Sequence, residues 1–266
     1  MSAAPKTIHQ LREKKVVVLG GTSGIGFAVA SALIEEGASV VVSSSNPKRV
    51  ESAVARLSDS QQQYNADASR VSGHALNLSG DCEAALQAFF EQVGTFDHLV
   101  YTAGDSLATT PVEKHTYDTL VKSGSVRFFS AVLAVKTAVP HLRKGGSIVL
   151  TTGSTGEKPV GPGWAVVSGF AAGLDGLTRG LALELSAQGL RVNCVSPGAV
   201  DTELWDGMPE EAMAHLKSEA AKTPTGKFGQ PHEIAQAFLY FLKDTNCTGR
   251  THVTESGAHL GNRPGA

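Results

Sequence analysis

The sequence has few cysteines, almost no net charge and no long apolar run. Its three cysteines, Cys82, Cys194 and Cys247, are scattered through 266 residues without a CxxC pair, which argues against a disulfide framework and favours a reducing, cytoplasmic location. Lys and Arg total 23 against 25 Asp and Glu, so the basic excess typical of nucleic-acid binders is missing. No segment approaches the roughly 18 apolar residues of a membrane-spanning helix.

Two further absences narrow the function. Residues 1–15 are polar and contain no signal-peptide core. The nine histidines show no HxxxH or HExxH spacing, and no metal site is proposed. We therefore expect a protein that acts on a small molecule, with no nucleic-acid or membrane partner.

Short apolar runs alternate with longer segments of helical period. Strands are predicted at 15–19, 39–43, 73–78, 96–101, 147–152, 190–195 and 251–254, and helices at 25–36, 47–57, 82–93, 115–142, 168–187 and 232–242. Continuous apolar strands indicate a parallel sheet buried on both faces. The alternation predicts an α/β fold with a single Rossmann-type, doubly wound parallel sheet. We expect an N-terminal extension at 1–14 and one nucleotide-binding domain at 15–266.

The turn after the first predicted strand is rich in glycine and leads into a helix. Small residues let a pyrophosphate approach the backbone, and the free N–H groups at a helix N-terminus attract its negative charge. The strand–turn–helix context is the one that a dinucleotide-binding motif needs, although a purely structural turn is the alternative. The binding residues predicted in this turn are Gly20, Thr22, Ser23, Gly24, Ile25 and Gly26.

An acidic residue is missing where NAD sites usually have one. About 20 residues after the glycine motif, Asp or Glu usually binds the ribose 2′-hydroxyl, but no acid lies between positions 36 and 51. Ser44, Ser45 and Arg49 lie there instead, and hydroxyls with a guanidinium suit a 2′-phosphate. We therefore predict NADP(H) as the cofactor, the alternative being a helix start with ordinary surface cations.

Other motifs resemble those of the short-chain dehydrogenase/reductase family. Tyr101-Thr102-Ala103-Gly104 stands where the family has Asn-Asn-Ala-Gly, and residues 191–198 are similar to its RVNxxxPG stretch. The resemblance covers nearly the whole chain. It implies a single Rossmann-type domain and a homodimer or homotetramer. It also implies cofactor contacts near adenine from Asn77 and Leu78, near the carboxamide from Val200 and Thr202, and from Ala103, Gly104, Pro197 and Gly198 in the turns.

The active-site Tyr and Lys of the family are missing. Ser154 follows the fifth predicted strand, as the family's Ser does, but the Tyr 13 residues later falls on Val167 and the Lys four beyond on Ala171. A shifted alignment does not restore them, because no Tyr occurs from 118 to 239 and no Lys from 159 to 216. The helix Asn of the family's proton relay aligns with Arg127.

These absences disfavour ordinary ketone reduction. Loss of a positioned general acid typically costs 10²–10⁴-fold in rate. An iminium ion needs no protein acid, because its nitrogen becomes a neutral amine when its carbon accepts hydride. The stretch from Ser154 to Trp164 also resembles atypical fungal members of the family, which work in alkaloid biosynthesis and in some cases couple iminium reduction to a Diels–Alder cyclisation.

We therefore expect an NADPH-dependent reductase of an activated, iminium acceptor in secondary metabolism. The alternatives are a cyclase, Diels–Alderase or isomerase that keeps the nucleotide in its pocket, and a non-catalytic NADP(H)-binding protein. Arg127 is predicted to bind a substrate carbonyl or carboxylate, Ser154 to donate a hydrogen bond and Trp164 to stack on an aromatic substrate. Their structural alternatives are a solvated cation, a strand cap and a packing residue. Residues 161–163 and 202–225 are the predicted substrate loops.

Overall fold

The structure is a computed structural model that describes residues 7–63, 68–107 and 109–265. In these residues, seven parallel strands form one sheet in the order β3-β2-β1-β4-β5-β6-β7. This order confirms the predicted doubly wound Rossmann-type sheet, and its reversal beside β1 creates the crevice where such sheets bind ligands. The strands are β1 (Lys15–Leu19), β2 (Ser39–Ser44), β3 (Val71–Ala75), β4 (Phe96–Tyr101), β5 (Leu142–Thr151), β6 (Arg191–Pro197) and β7 (Thr251–Thr254).

Helices cover both faces of the sheet. They are α1 (Gly24–Glu35), α2 (Pro47–Gln63), α3 (Glu83–Val93), α4 (Tyr117–Gly124), α5 (Ser130–Ala138), α6 (Ala165–Glu184), α7 (Glu210–Lys222) and α8 (Pro231–Lys243). Alternate residues of β1 point to opposite faces. Val17 and Leu19 pack in the core beneath α3, α5 and α6, whereas Val16 and Val18 pack beneath α1 and α8. No helix in the described part of the chain is long and apolar enough to cross a membrane.

Several predicted elements differ in their bounds, among them the fifth strand, which begins at Leu142 rather than 147, and the second helix, which extends to Gln63 rather than 57. The third strand ends at Ala75 rather than 78, because its apolar pattern is weak. The helix predicted at 115–142 is interrupted by a π-helical turn, Ser125–Phe129, between α4 and α5. The substrate loop predicted at 202–225 contains α7, a polar surface helix that begins after Pro209 and buries only Ala220.

The predicted N-terminal extension lies partly outside the described residues, which begin at residue 7. In the described part, Leu11 is 1% exposed and packs in the core. The backbone N–H of Glu13 donates to the carbonyl of Gly37 at 3.0 Å. The boundary at residue 14 stays a prediction.

Candidate active site

The glycine-rich turn brings β1, α1 and the turn after β4 together. Gly20 has φ of +85°, and a β-carbon there would lie 2.6 Å from the backbone nitrogen of Ala103. A β-carbon at Gly26 would lie 2.2 Å from the carbonyl oxygen of Gly20. Thr102 also connects the turn after β4 to the end of β1, since its hydroxyl donates to the carbonyl of Leu19 at 3.0 Å. Side chains at these two glycines would therefore force this turn away from the turn after β4 and distort its own backbone.

The first turn of α1 has no side-chain cap from the residue before it. Ser23 precedes the helix and makes no capping hydrogen bond with its side chain. The N–H of Gly24 donates to the Glu203 carboxylate at 2.8 Å, a favourable place for negative charge. Thr202, which caps the short helical turn after it, lies directly against Gly24. The glycine turn and the segment after β6 are thus in direct contact.

The end of β2 presents polar groups and no acid. Ser44 ends the strand, and the exposed Ser45 and Arg49 follow it. Asn46 orders the start of α2, because its side-chain oxygen accepts from the N–H groups of Lys48 at 3.0 Å and Arg49 at 3.3 Å. Arg49 therefore belongs to the ordered first turn of the helix that follows β2.

The residues predicted near adenine lie in the loop after β3 rather than in the strand. Asn77 is exposed, and its side-chain oxygen accepts from the N–H of Ser79 at 3.0 Å. Leu78 is buried, and its carbonyl accepts from the Ser130 hydroxyl at 2.7 Å. The loop is thereby fixed to α5 at the carboxyl edge of the sheet, the edge at which ligands bind in this fold.

Arg127 lies over the turn after β4 rather than in solvent. It belongs to the π-helical turn between α4 and α5, and a β-carbon at Gly104 would lie 2.7 Å from its guanidinium carbon. One of its Nη atoms donates to the carbonyl of Asp105, and its Nε lies 3.4 Å from the Asp105 carboxylate. Neither that Nε nor Oδ1 of Asp105 has an aligned hydrogen bond. Burial lowers the pKa of Arg127, and the Asp105 carboxylate opposes that shift.

Tyr101 lies near this turn but cannot replace the missing acid. It is 2% exposed, and its hydroxyl donates to the carbonyl of Val126 at 2.5 Å. Burial raises its pKa far above the ordinary value for tyrosine. Its hydroxyl therefore holds the π-helical turn that presents Arg127, and it faces away from any substrate.

The loop after β5 carries Ser154 and packs on α6. The Thr152 hydroxyl donates to the carbonyl of Ala171 at 2.7 Å, and Thr155 and Ser168 share a hydrogen bond of 2.6 Å between their hydroxyls. Ala171 is 8% exposed and supplies only a methyl group. Neither this position nor Val167, half-buried one turn earlier, can donate or tune a proton.

Trp164 lies directly before α6 and is half-buried. The preceding Gly163 has φ of +86°, and a β-carbon there would lie 3.4 Å from the carbonyl of Thr109. The predicted loop at 161–163 therefore lies against the chain after β4, between the Ser154 loop and the Arg127 side. This placement suits a wall of a substrate pocket.

The turn after β6 lies at the carboxyl edge of the sheet, next to the end of β7. Pro197 ends the strand, and the N–H of Gly198 donates to the carbonyl of Thr254 at 3.0 Å. Val200 is 4% exposed, and its carbonyl accepts from the Trp205 indole at 2.7 Å. The predicted residues thus share the carboxyl edge of β1, β4, β5 and β6, and their roles stay predictions.

Three residues at this edge are missed by sequence reasoning. Asp105 follows the Ala-Gly turn directly, and Glu203 follows Thr202, so adjacency to a motif was a usable signal for both. His259, in the C-terminal turn, donates from Nε2 to the carbonyl of Ser154 at 3.2 Å. It lies 105 residues from Ser154 along the chain in a segment without periodicity, and no sequence pattern connects the two.

Comparison with known proteins agrees with this geometry. Residues 8–261 match the family model described as an SDR-like Rossmann domain. The chain is 34% identical to the short-chain dehydrogenase/reductase fsr5 of Gibberella fujikuroi, covering 98% of this chain and 100% of that protein. It also resembles the structure of MalC reductase/Diels–Alderase from Malbranchea aurantiaca, with a TM-score of 0.85 and 34% identity over 95% of this chain and 98% of that one.

A third similar protein is an NADPH-bound short-chain oxidoreductase from Pseudomonas aeruginosa, described as containing an atypical catalytic center. Its TM-score is 0.81 at 26% identity, over 96% of this chain and 98% of that one. The family model and these relatives each span nearly the whole molecule. The chain therefore belongs to the short-chain dehydrogenase/reductase family.

Proposed function

We propose that this chain is an NADPH-dependent reductase of an activated, iminium acceptor in secondary-metabolite biosynthesis. The observation that carries the proposal is the pair Val167 and Ala171 on α6, where an ordinary member has the proton-relay Tyr and Lys. Tyr101, at the end of β4, does not replace them as an acid, since its hydroxyl is buried on the carbonyl of Val126. The catalytic set would be Arg127, Ser154 and Trp164.

The cofactor would lie along the carboxyl edge of the sheet, and when bound it supplies a hydride. The glycine turn and α1 would hold its diphosphate, and Ser44, Ser45 and Arg49 its 2′-phosphate. The loop after β3 would contact adenine, and Val200 and Thr202 the carboxamide. The missing acid after β2 and the NADPH in the Pseudomonas relative support NADPH over NADH.

The reaction balances without a protein acid. The iminium carbon accepts the hydride with its electron pair, the π electrons of the C=N bond move onto nitrogen, and a neutral amine results. The protein then has to hold the acceptor in line with the hydride donor, a proximity effect worth several kcal/mol. Arg127 would bind an acceptor carbonyl or carboxylate through donors that Asp105 leaves unused. Trp164 would stack on a flat ring, and Ser154 would donate a hydrogen bond.

A cyclase is the second candidate. The MalC relative is described as both a reductase and a Diels–Alderase, and a pocket that aligns an acceptor without a proton relay could also preorganise a cyclisation. A nucleotide-binding protein without catalytic activity is the third candidate. We further propose a small-molecule substrate, a cytoplasmic location and a homodimer or homotetramer.

A paired assay tests the proposal. NADPH oxidation is followed with a cyclic iminium and with the ketone of the same ring skeleton. We expect the iminium to react at least about 100-fold faster, which corresponds to the lower end of a missing general acid. Fast ketone reduction would overturn the proposal. Cyclised product without NADPH oxidation would select the cyclase, and tight NADPH binding without product would select the non-catalytic protein.

A further inference from the structure

The C-terminal segment joins the two loops that flank the candidate substrate pocket. After β7, Glu255 lies against Gly198, where an added β-carbon would lie 2.8 Å from the Cα of Glu255. The carbonyl of Ser256 accepts from the N–H of Thr225 at 3.2 Å, and a β-carbon at Gly257 would lie 2.8 Å from the Pro224 side chain. The segment then reaches the loop after β5, so one stretch of chain contacts both sides of the site.

The second contact is centred on His259. Its Nε2 lies 3.2 Å from the carbonyl oxygen of Ser154, and its Nδ1 lies 3.2 Å from a carboxylate oxygen of Glu157. A carbonyl and a carboxylate both accept hydrogen bonds, and a neutral imidazole carries only one N–H. The Nε2 contact is a hydrogen bond that both the neutral and the charged ring can make, whereas the Nδ1 contact becomes an ion pair when the ring carries a proton on each nitrogen.

Further contacts connect the same turn to its neighbours. The backbone N–H of His259 donates to the Glu255 carboxylate at 3.1 Å, which places a second acid beside the turn. The one cation that faces it, Lys158, donates to the carbonyl of Ala258 at 2.9 Å and so adds a further tie between the two segments. In the described residues, the charged side chains that form hydrogen bonds or ion pairs with this turn are Glu157, Glu255 and Lys158.

We propose that His259 is a positioning residue, whose imidazolium holds the Ser154 loop against the C-terminal turn. This inference rests on the proposed function, because Ser154 is a predicted substrate contact. His259 acts through the Ser154 backbone and need not touch the substrate. Loss of its proton would remove one of the two contacts and loosen the loop without abolishing catalysis.

Hydrogen exchange of the loop tests the contact without any substrate. Full-length protein is compared with the variants His259→Phe and Glu157→Gln, and His232→Gln, an exposed histidine on α8, is the matched control. At about pH 6, where a histidine is readily protonated, we expect residues 154–158 to exchange about threefold to tenfold faster in His259→Phe than in the wild type, after correction for intrinsic rates. The difference should shrink at about pH 8.5. The double variant His259→Phe/Glu157→Gln should exchange no faster than the faster of the two single variants, as expected for residues that share one interaction.

Single-turnover kinetics adds the link to catalysis. The wild-type rate should fall to a lower plateau at high pH, and His259→Phe should stay near that plateau at every pH, with an unchanged NADPH Kd. Exchange that is equal in wild type and His259→Phe, or additive effects of the two variants, would overturn the proposal. If no iminium is reduced but the exchange results hold, the proposed function fails and the positioning contact stands. If iminium is reduced but His259→Phe exchanges at the wild-type rate, the proposed function stands and the positioning contact fails.

Discussion

Arg127 is placed by two neighbours that the sequence does not connect with it. Gly104 lacks a side chain, so the guanidinium can lie against the turn after β4. The Tyr101 hydroxyl holds the carbonyl of Val126 and thereby the π-helical turn, a local distortion that is frequent at functional sites. Both neighbours come from the Tyr-Thr-Ala-Gly segment, so the position of Arg127 depends on that segment.

Arg127→Met tests whether this cation orients the substrate rather than supplying a proton. A guanidinium stays charged through neutral pH, so the variant should lower the hydride-transfer rate by a similar factor at every pH from about 6 to 9. Single-turnover rates with deuterated NADPH isolate that step, and Lys122→Met, an exposed cation on α4, is the control. A wild-type rate that falls tenfold per pH unit at high pH, with the iminium intact, would show that a protein acid takes part.

Arg49→Ala tests the cofactor preference at a single side chain. If Arg49 binds the 2′-phosphate, its loss removes a charge-assisted hydrogen bond and should weaken NADPH binding about tenfold to a hundredfold. NADH binding should hardly change, because NADH lacks that phosphate. Fluorescence titration measures both dissociation constants, with Lys48→Ala as the neighbouring-cation control. Equal affinities of the wild type for NADPH and NADH would contradict the prediction.

At the level of elements, the buried strands are the part that the sequence predicts best. The Val-rich run of β1 is continuous because both of its faces are covered, and the run is readable without knowledge of the helices. The glycine turn is equally readable from its motif, although only Gly26 contacts backbone within the turn, whereas the contact at Gly20 comes from Ala103 in the turn after β4. The predicted bounds of β3 lie too far along the chain, because only the first residue of this strand is fully buried.

The parts that the sequence does not reveal depend on distant contacts. The π-helical turn is held by a hydroxyl 25 residues away, and nothing in the helical period between 115 and 142 marks it. The pairing of His259 with Ser154 depends on where a nonperiodic C-terminal segment folds back. For α7 a signal is present in Pro209 followed by Glu210 and Glu211, but its apolar stripe is short and only Ala220 is fully buried.

The pairing of β4 with β5 contains a titratable group that predicts acid sensitivity. His98 is opposite Ser147 in the register, and its Nδ1 accepts from the backbone N–H of Ser147 at 3.1 Å. Burial lowers its pKa from 6.5 to about 4. As the pH falls through this window the unfolded chain binds a proton before the folded one, so stability is full above about 6.5 and declines toward about 4 by roughly 3 kcal/mol.

His98→Asn should remove this slope, because Asn offers an acceptor near Nδ1 but does not titrate. Urea unfolding at several pH values between 4 and 7 measures it, with the exposed His252→Asn as control. Loss of the ring lowers the free energy of unfolding of His98→Asn at every pH. The test therefore compares the pH dependence of that free energy in the variant and in the wild type. Asp97 titrates outside this window: burial raises its pKa, but the bond from Lys15 and the charges of Lys14 and Arg143 lower it below 3.8. An unchanged slope in His98→Asn would contradict the assignment.

On the scale of the whole molecule, the two edges of the sheet have different tasks. The carboxyl edge carries the glycine turn, Arg127 and Ser154, whose contacts leave polar groups such as Nε of Arg127 unused. The opposite edge is tied by ion pairs, with Arg143 2.8 Å and Lys14 3.4 Å from the Asp97 carboxylate. The described loops thus meet at the carboxyl edge, whereas charged side chains join the strand ends at the opposite one.

The outer surface of α4 and the turn after it predicts self-association. Tyr117 is 80% exposed, Leu120 37%, Val121 41% and Phe129 43%, and the first three recur at helical spacing on one face. An apolar patch of this kind on a surface typically marks an interaction site. In a homodimer with two-fold symmetry the same patch faces itself, so one substitution places two charges in the interface.

Leu120→Glu should therefore convert the proposed homodimer or homotetramer to a smaller species, because two carboxylates would be buried without partners. Size-exclusion chromatography with light scattering measures the mass over a range of protein concentrations, and circular dichroism checks the fold. Ile8→Glu, at an apolar side chain that is 56% exposed elsewhere on the surface, should leave the mass unchanged. A wild-type protein that is monomeric at all concentrations would refute the oligomer, whereas an oligomer that Leu120→Glu leaves intact would move the interface away from α4. The test matters for the site as well, because the π-helical turn with Arg127 continues directly from α4, and an interface on that helix would restrict its motion.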